Sequence, residues 1–224
     1  MFTRQVLAIL AKDLKAEWRT REIFTSMFVF AVLVIVVFNF AIGANPELLG
    51  QVAPGVLWVA LLFATILGLQ RTAQIEREED CLQGMLLAMG DRSALFVAKT
   101  VANMLYLLIV AVCIFPLFGV WFHINFAGCL APLSLILLLG MLGFSALGTL
   151  FSMIAFNTKA QELMLSLLFL PVSVPLIIAL VYATVKLVEG KGFTDITDYF
   201  TLIIVFDAIF FVLSLLAFDY IVEE

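Results

Sequence analysis

Charge is scarce in this chain: Lys and Arg account for 12 of its 224 residues and Asp and Glu for 17. Twelve cations spread thinly along the chain form no basic patch, which excludes a nucleic-acid-binding surface. Histidine occurs once, at His123, with no second imidazole or paired carboxylate beside it, so a metal centre is not supported. The three cysteines, Cys81, Cys113 and Cys129, make no even framework and no Cys-x-x-Cys pair, which excludes a disulfide scaffold and a zinc knuckle. A Gly-x-x-x-x-Gly-Lys-Ser/Thr run is missing, so the chain has no phosphate cradle and does not hydrolyse ATP by itself. Without a Gly-x-Ser-x-Gly turn or a second acid near Asp207, an intramembrane hydrolase is poorly supported. No cleavable leader is expected either, because the apolar run from Ile23 is too long and has no small-residue cleavage site after it.

What the chain has in abundance is apolar surface. It is 64% hydrophobic, carries 22 Phe, and contains apolar runs long enough to cross a hydrocarbon core of about 30 Å. An all-α polytopic membrane protein follows, with six spans near Ile23–Gly43, Pro54–Leu69, Ser93–Phe122, Leu130–Phe156, Leu163–Leu187 and Tyr199–Ile221. The second is the shortest and starts with Pro54 in its first turn, where a missing amide costs nothing. Five Lys/Arg precede the first span, four lie between Arg71 and Lys99, and one is Lys159; only Lys186 and Lys191 fall on the other side. Ten against two places both termini in the cytoplasm.

Residues 1–22 read as an amphipathic helix in the inner headgroup layer. Phe2, Val6, Leu10, Leu14 and Trp18 define an apolar arc, and Arg4, Lys12, Lys15 and Arg19 lie opposite. Asp13 and Glu17 interrupt that arc one turn apart, either against a neighbouring element or at a solvated edge. Residues 23–70 hold spans one and two, 71–92 a charged cytoplasmic segment, and 93–224 the remaining spans. The charged segment packs six charges into the ten residues Arg71 to Asp80. Leu82, Met85, Leu86 and Met89 then recur as one stripe of a short helix that Gly90 stops, with Asp91 or Ser93 capping the next. A Met-rich stripe suits docking to another protein, or packing on the chain's own helix ends.

Several polar residues stand out at membrane depth. Asp207 lies about 12 Å below the outer surface, and Tyr182, Thr184, Asn39 and Lys186 are its expected neighbours. His123 sits at the outer end of span three, as a weak haem-iron ligand or an interfacial histidine beside Trp121. Ser145, Gly148, Thr149 and Ser152 form a small polar stripe that lets another helix approach. Pro171 and Pro175, one turn apart, bend span five unless Ser166 or Ser173 compensates; the bend is a static kink or a gate hinge.

The block APGVLWVALLFATILGLQR (Ala53 to Arg71), followed by EREEDCLQGMLLAMGDRSALFVAK, resembles the second span and following loop of the CcmB family, and GMLGFSALGTL and LLFLPVSVPLIIA fit the same pattern. The resemblance implies a non-catalytic membrane permease of the six-span, type-2 ABC exporter class, in the bacterial inner membrane, acting in cytochrome c maturation and forming a homodimer. It implies a coupling helix between spans two and three that docks on a separate CcmA-like ATPase, which carries ATP and magnesium. On that reading Glu76, Glu78, Glu79, Asp80, Leu82, Gln83, Met85, Leu86 and Met89 form the ATPase joint. The further partners implied are a CcmC-like haem-handling protein and a CcmE-like haem chaperone, with haem as cargo; ATP then drives haem export or release of the loaded chaperone. A generic type-2 permease for lipid, polysaccharide or drug, and a purely structural assembly subunit, are the rival readings.

Overall fold

The computed structural model describes residues 2–43, 46–78, 92–124, 126, 128–156 and 160–221. Among these there are seven α-helices: α1 (Phe2–Thr20), α2 (Glu22–Ile42), α3 (Pro46–Glu78), α4 (Arg92–Phe122), α5 (Leu130–Phe156), α6 (Gln161–Val188) and α7 (Thr197–Ile221). A 3₁₀ turn at Phe193–Ile196 joins α6 to α7. Six helices, α2 to α7, are long and apolar enough to cross a membrane. The chain is an all-α polytopic membrane protein.

Five of the expected spans agree with the structure to within two residues at each end, because long apolar runs leave the boundary little freedom. The second does not. Its helix starts at Pro46 and runs for 33 residues, so Pro54 lies inside α3 and not in its first turn. Pro46 is the proline whose missing amide falls where no acceptor is needed. The polar and small residues Glu47, Gly50 and Gln51 concealed this first stretch from a hydropathy reading.

The core forms around α3, the most enclosed of the spans. Trp58, Leu57 and Leu61 on it are sealed from solvent. The Trp58 ring lies edge-on to Phe144 of α5, with centroids 6.2 Å apart, and its indole N–H donates to Thr184 Oγ1 of α6 at 2.9 Å. Gly140 leaves the room for this, since a Cβ there would stand 2.7 Å from two ring atoms of Trp58. The small stripe on α5 serves the same purpose: a Cβ on Gly148 would collide with Leu69, while Thr149 accepts a hydrogen bond at 3.1 Å from the Asn103 amide of α4. Close helix approach through small residues is the ordinary basis of packing in a bilayer, where lipid is as apolar as leucine.

Helix α1 turns only part of the expected arc toward the bundle. Ile9 is buried and Val6, Leu10 and Leu14 are half-buried, but Phe2 is 39% and Trp18 78% exposed. A spacing of four overshoots the helical turn by about 40° per step, so the two ends of a five-residue arc rotate away from its middle. Ile9 packs with Leu95, Phe96 and Ala98 of α4, which makes α1 a strut on the bundle.

Candidate functional site

The two acids that interrupt the apolar face of α1 are turned toward the bundle. Lys99, on the second turn of α4 and only 3% exposed, donates from Nζ to Asp13 Oδ2 at 2.9 Å and also to Glu76 Oε1 near the end of α3. Lys12 adds a second cation at 3.3 Å from Asp13. One ammonium between two carboxylates in a nearly dry setting is stable only while every member is present; removing one partner of a buried pair costs about 3–5 kcal/mol. Three elements, α1, α3 and α4, are tied at one point.

Glu17, one turn further along α1, performs a different task. The chain turns from α1 into α2 at Arg21, in the left-handed region at φ 56°. Arg21 offers no side-chain cap, and Glu17 supplies it: the Glu17 carboxylate accepts the Phe24 N–H at 2.8 Å and the Ile23 N–H at 3.3 Å. A carboxylate at this end also opposes the positive pole of α2. At the rim Arg71 of α3 pairs with Glu22 of α2. The two acids, this pair, Glu76 and Tyr106 border a cavity of about 320 Å³.

The expected site residues are dispersed by this geometry. Glu76 is drawn inward by Lys99 and is 7% exposed, so it faces the bundle and offers no carboxylate outward. Glu78 closes α3, and Glu79, Asp80, Leu82, Gln83, Met85, Leu86 and Met89 lie outside the described residues, with Gly90, Asp91 and Lys159. Asp207 is buried on α7, 5% exposed, with neither carboxylate oxygen hydrogen-bonded among the described residues. None of its expected neighbours bonds to it. Asn39 donates to Trp121 O, Thr184 to Leu180 O, Lys186 to Asp195 O, and Tyr182 stacks on Tyr199. Asp207 points instead at α5, where a Cβ on Gly143 would collide with its Oδ1. His123 is exposed, at φ 55° just after α4, and no group of three or more His, Cys, Asp and Glu among the described residues could hold a metal. Pro171 and Pro175 sit within an uninterrupted α6; Ser173 donates to Leu170 O and Ser166 to Glu162 O, neither being a carbonyl the prolines free.

A protein-family model described as CcmB protein matches residues 4–223, nearly the whole chain. The chain belongs to the CcmB family. Among its relatives, a protein of Pseudomonas aeruginosa named heme exporter protein B is 31% identical over 170 residues, 76% of each chain. The heme exporter protein B of Rhodobacter capsulatus is 31% identical over 171 residues, 76% of this chain and 78% of that one. That of Escherichia coli K12 is 34% identical over a shorter stretch of 74 residues, 33% of this chain.

In this CcmB-family chain the residue that sequence reading passed over is Lys99. It is one cation in an apolar run, and counting it with the cytoplasmic charges hid its role. The available signal was Asp13, an acid on the bundle-facing side of α1, which needs a cation opposite. Gly143 was quoted within the small-residue run of span four, but nothing in that run ties it to Asp207. Their pairing depends on the register of α5 against α7.

Proposed function

We propose that this chain is the membrane permease subunit of an ATP-driven haem exporter acting in cytochrome c maturation, non-catalytic alone, and worked by a separate ATPase that binds ATP and magnesium. The observation that carries the reading is the ion cluster Asp13–Lys99–Glu76. Glu76 lies just before residues 79–91 and Lys99 just after them, so the two limbs of the segment are held together and fastened to α1. A segment held at both limbs cannot swivel freely, and a push delivered to it moves α3 and α4 together. The family match and the relatives' names support haem as cargo, with a CcmC-like protein and a CcmE-like chaperone as the handling partners and a second copy of this chain completing the pore.

The joint with the ATPase is assigned to Leu82, Gln83, Met85, Leu86 and Met89, with Glu78, Glu79 and Asp80 beside it. Replacing Leu82, Met85 and Leu86 by Asp is expected to leave the chain membrane-inserted and to release the ATPase on affinity purification. Undiminished co-purification of the ATPase would remove the assignment.

A further inference from the structure

A second cavity, of about 430 Å³, opens where α3 ends and α6 begins; Gln70, Gln74, Arg77, Gln161, Glu162 and Leu163 contribute to its wall. Helix α6 starts there without a side-chain cap. Ala160 has no oxygen to offer, and the first bond of the helix runs from the Met164 N–H to the Ala160 carbonyl at 3.0 Å. The amides of Gln161, Glu162 and Leu163 therefore precede any intrahelical acceptor and carry the positive pole of a 28-residue helix. A helix start alone is not a site. Gln161 supplies the second observation: it is 9% exposed, it lines this cavity, and its amide nitrogen is buried with no hydrogen-bond partner among the described residues. Buried donors are rarely left unsatisfied, so an acceptor is called for here.

The rest of the wall defines that acceptor. Arg77 is exposed, lines the cavity and makes no ion pair among the described residues, so its guanidinium fork is open to an anion there. The Gln70 amide is already committed, donating to Glu162 O at 3.2 Å and Ser166 Oγ at 3.1 Å, and so fixes the distance between the two helices. The Glu162 carboxylate opposes an anion. On the outer side of α6, Leu163 and Leu167 are 73% and 68% exposed, an apolar strip that begins at the mouth of the cavity.

We propose that this cavity binds the phosphate group of an anionic phospholipid, with the acyl chain running along Leu163 and Leu167. The site lies apart from the Asp13–Lys99–Glu76 cluster, and the proposal does not depend on haem export.

The test uses the purified full chain in detergent, titrated with phosphatidylglycerol, with phosphatidylcholine of matched chains, and with inorganic phosphate, and read by native mass spectrometry and thermal shift. Phosphatidylglycerol is expected to bind in preference to phosphatidylcholine. Arg77→Gln and Gln161→Leu are each expected to weaken it by about fivefold or more, and Glu162→Gln to strengthen it. Opposite signs from variants on one wall cannot come from misfolding. Equal binding of the two lipids, or binding indifferent to all three variants, overturns the proposal. Protection by inorganic phosphate alone, with the same variant dependence, would assign the site to a soluble anion and overturn the lipid.

Discussion

Single side chains separate into those that hold the bundle together and those left with unspent chemistry. Lys99 belongs to the first kind. Lys99→Met is expected to lower stability by about 3–5 kcal/mol, because Glu76 then lies buried without a counter-ion and Asp13 keeps only the exposed Lys12. Arg71→Met, which removes the exposed rim pair with Glu22 and a hydrogen bond to Gln74 Oε1, should cost about 1 kcal/mol. Thermal melting of the two variants in one detergent measures the contrast. Asp207 is of the second kind, with both oxygens unbonded against Gly143. Asp207→Asn changes no volume, so melting is expected to be unaltered while c-type cytochrome maturation falls in a complemented strain. Normal maturation would reduce Asp207 to packing. The carboxyl itself was visible in the sequence, as the one acid well inside a span. Its surroundings were not, since they are set by helix register and not by spacing along the chain.

Helices were legible wherever a long apolar run left one solution, and misjudged wherever a rule had two. Pro54 satisfied the rule for a helix start, and Pro46 satisfied it better. The arc on α1 fans out at a spacing of four, and only its middle, Val6, Leu10 and Leu14, is half-buried against the bundle. The APGVLWVA entry to α3 was the most recognisable stretch, and the structure gives its physical reason: Trp58 is the centre against which α5 and α6 close. Packing there admits no extra atoms. Gly140→Ala is expected to destabilise by about 1–3 kcal/mol, since the rigid Trp58 ring must move to accept the methyl. A melting temperature equal to the parent's would show that the α3–α5 contact is looser than drawn.

For the molecule as a whole, six helices long enough to cross a membrane would return the chain to the side on which it began, and we propose from the excess of Lys and Arg that this side is the cytoplasm. Fusions at either end are expected to give fluorescent green fluorescent protein and inactive alkaline phosphatase; an active phosphatase at one end would break the six-span count. The ion cluster lies at this same basic end, beside residues 79–91.

The indole of Trp58 and the hydroxyl of Thr184 make one buried polar contact, joining helices that are far apart along the chain. Parting them would leave the buried indole N–H without its acceptor. Parting α3 from α6 is therefore costly, and we propose that any passage for cargo forms instead at the chain's outer boundary.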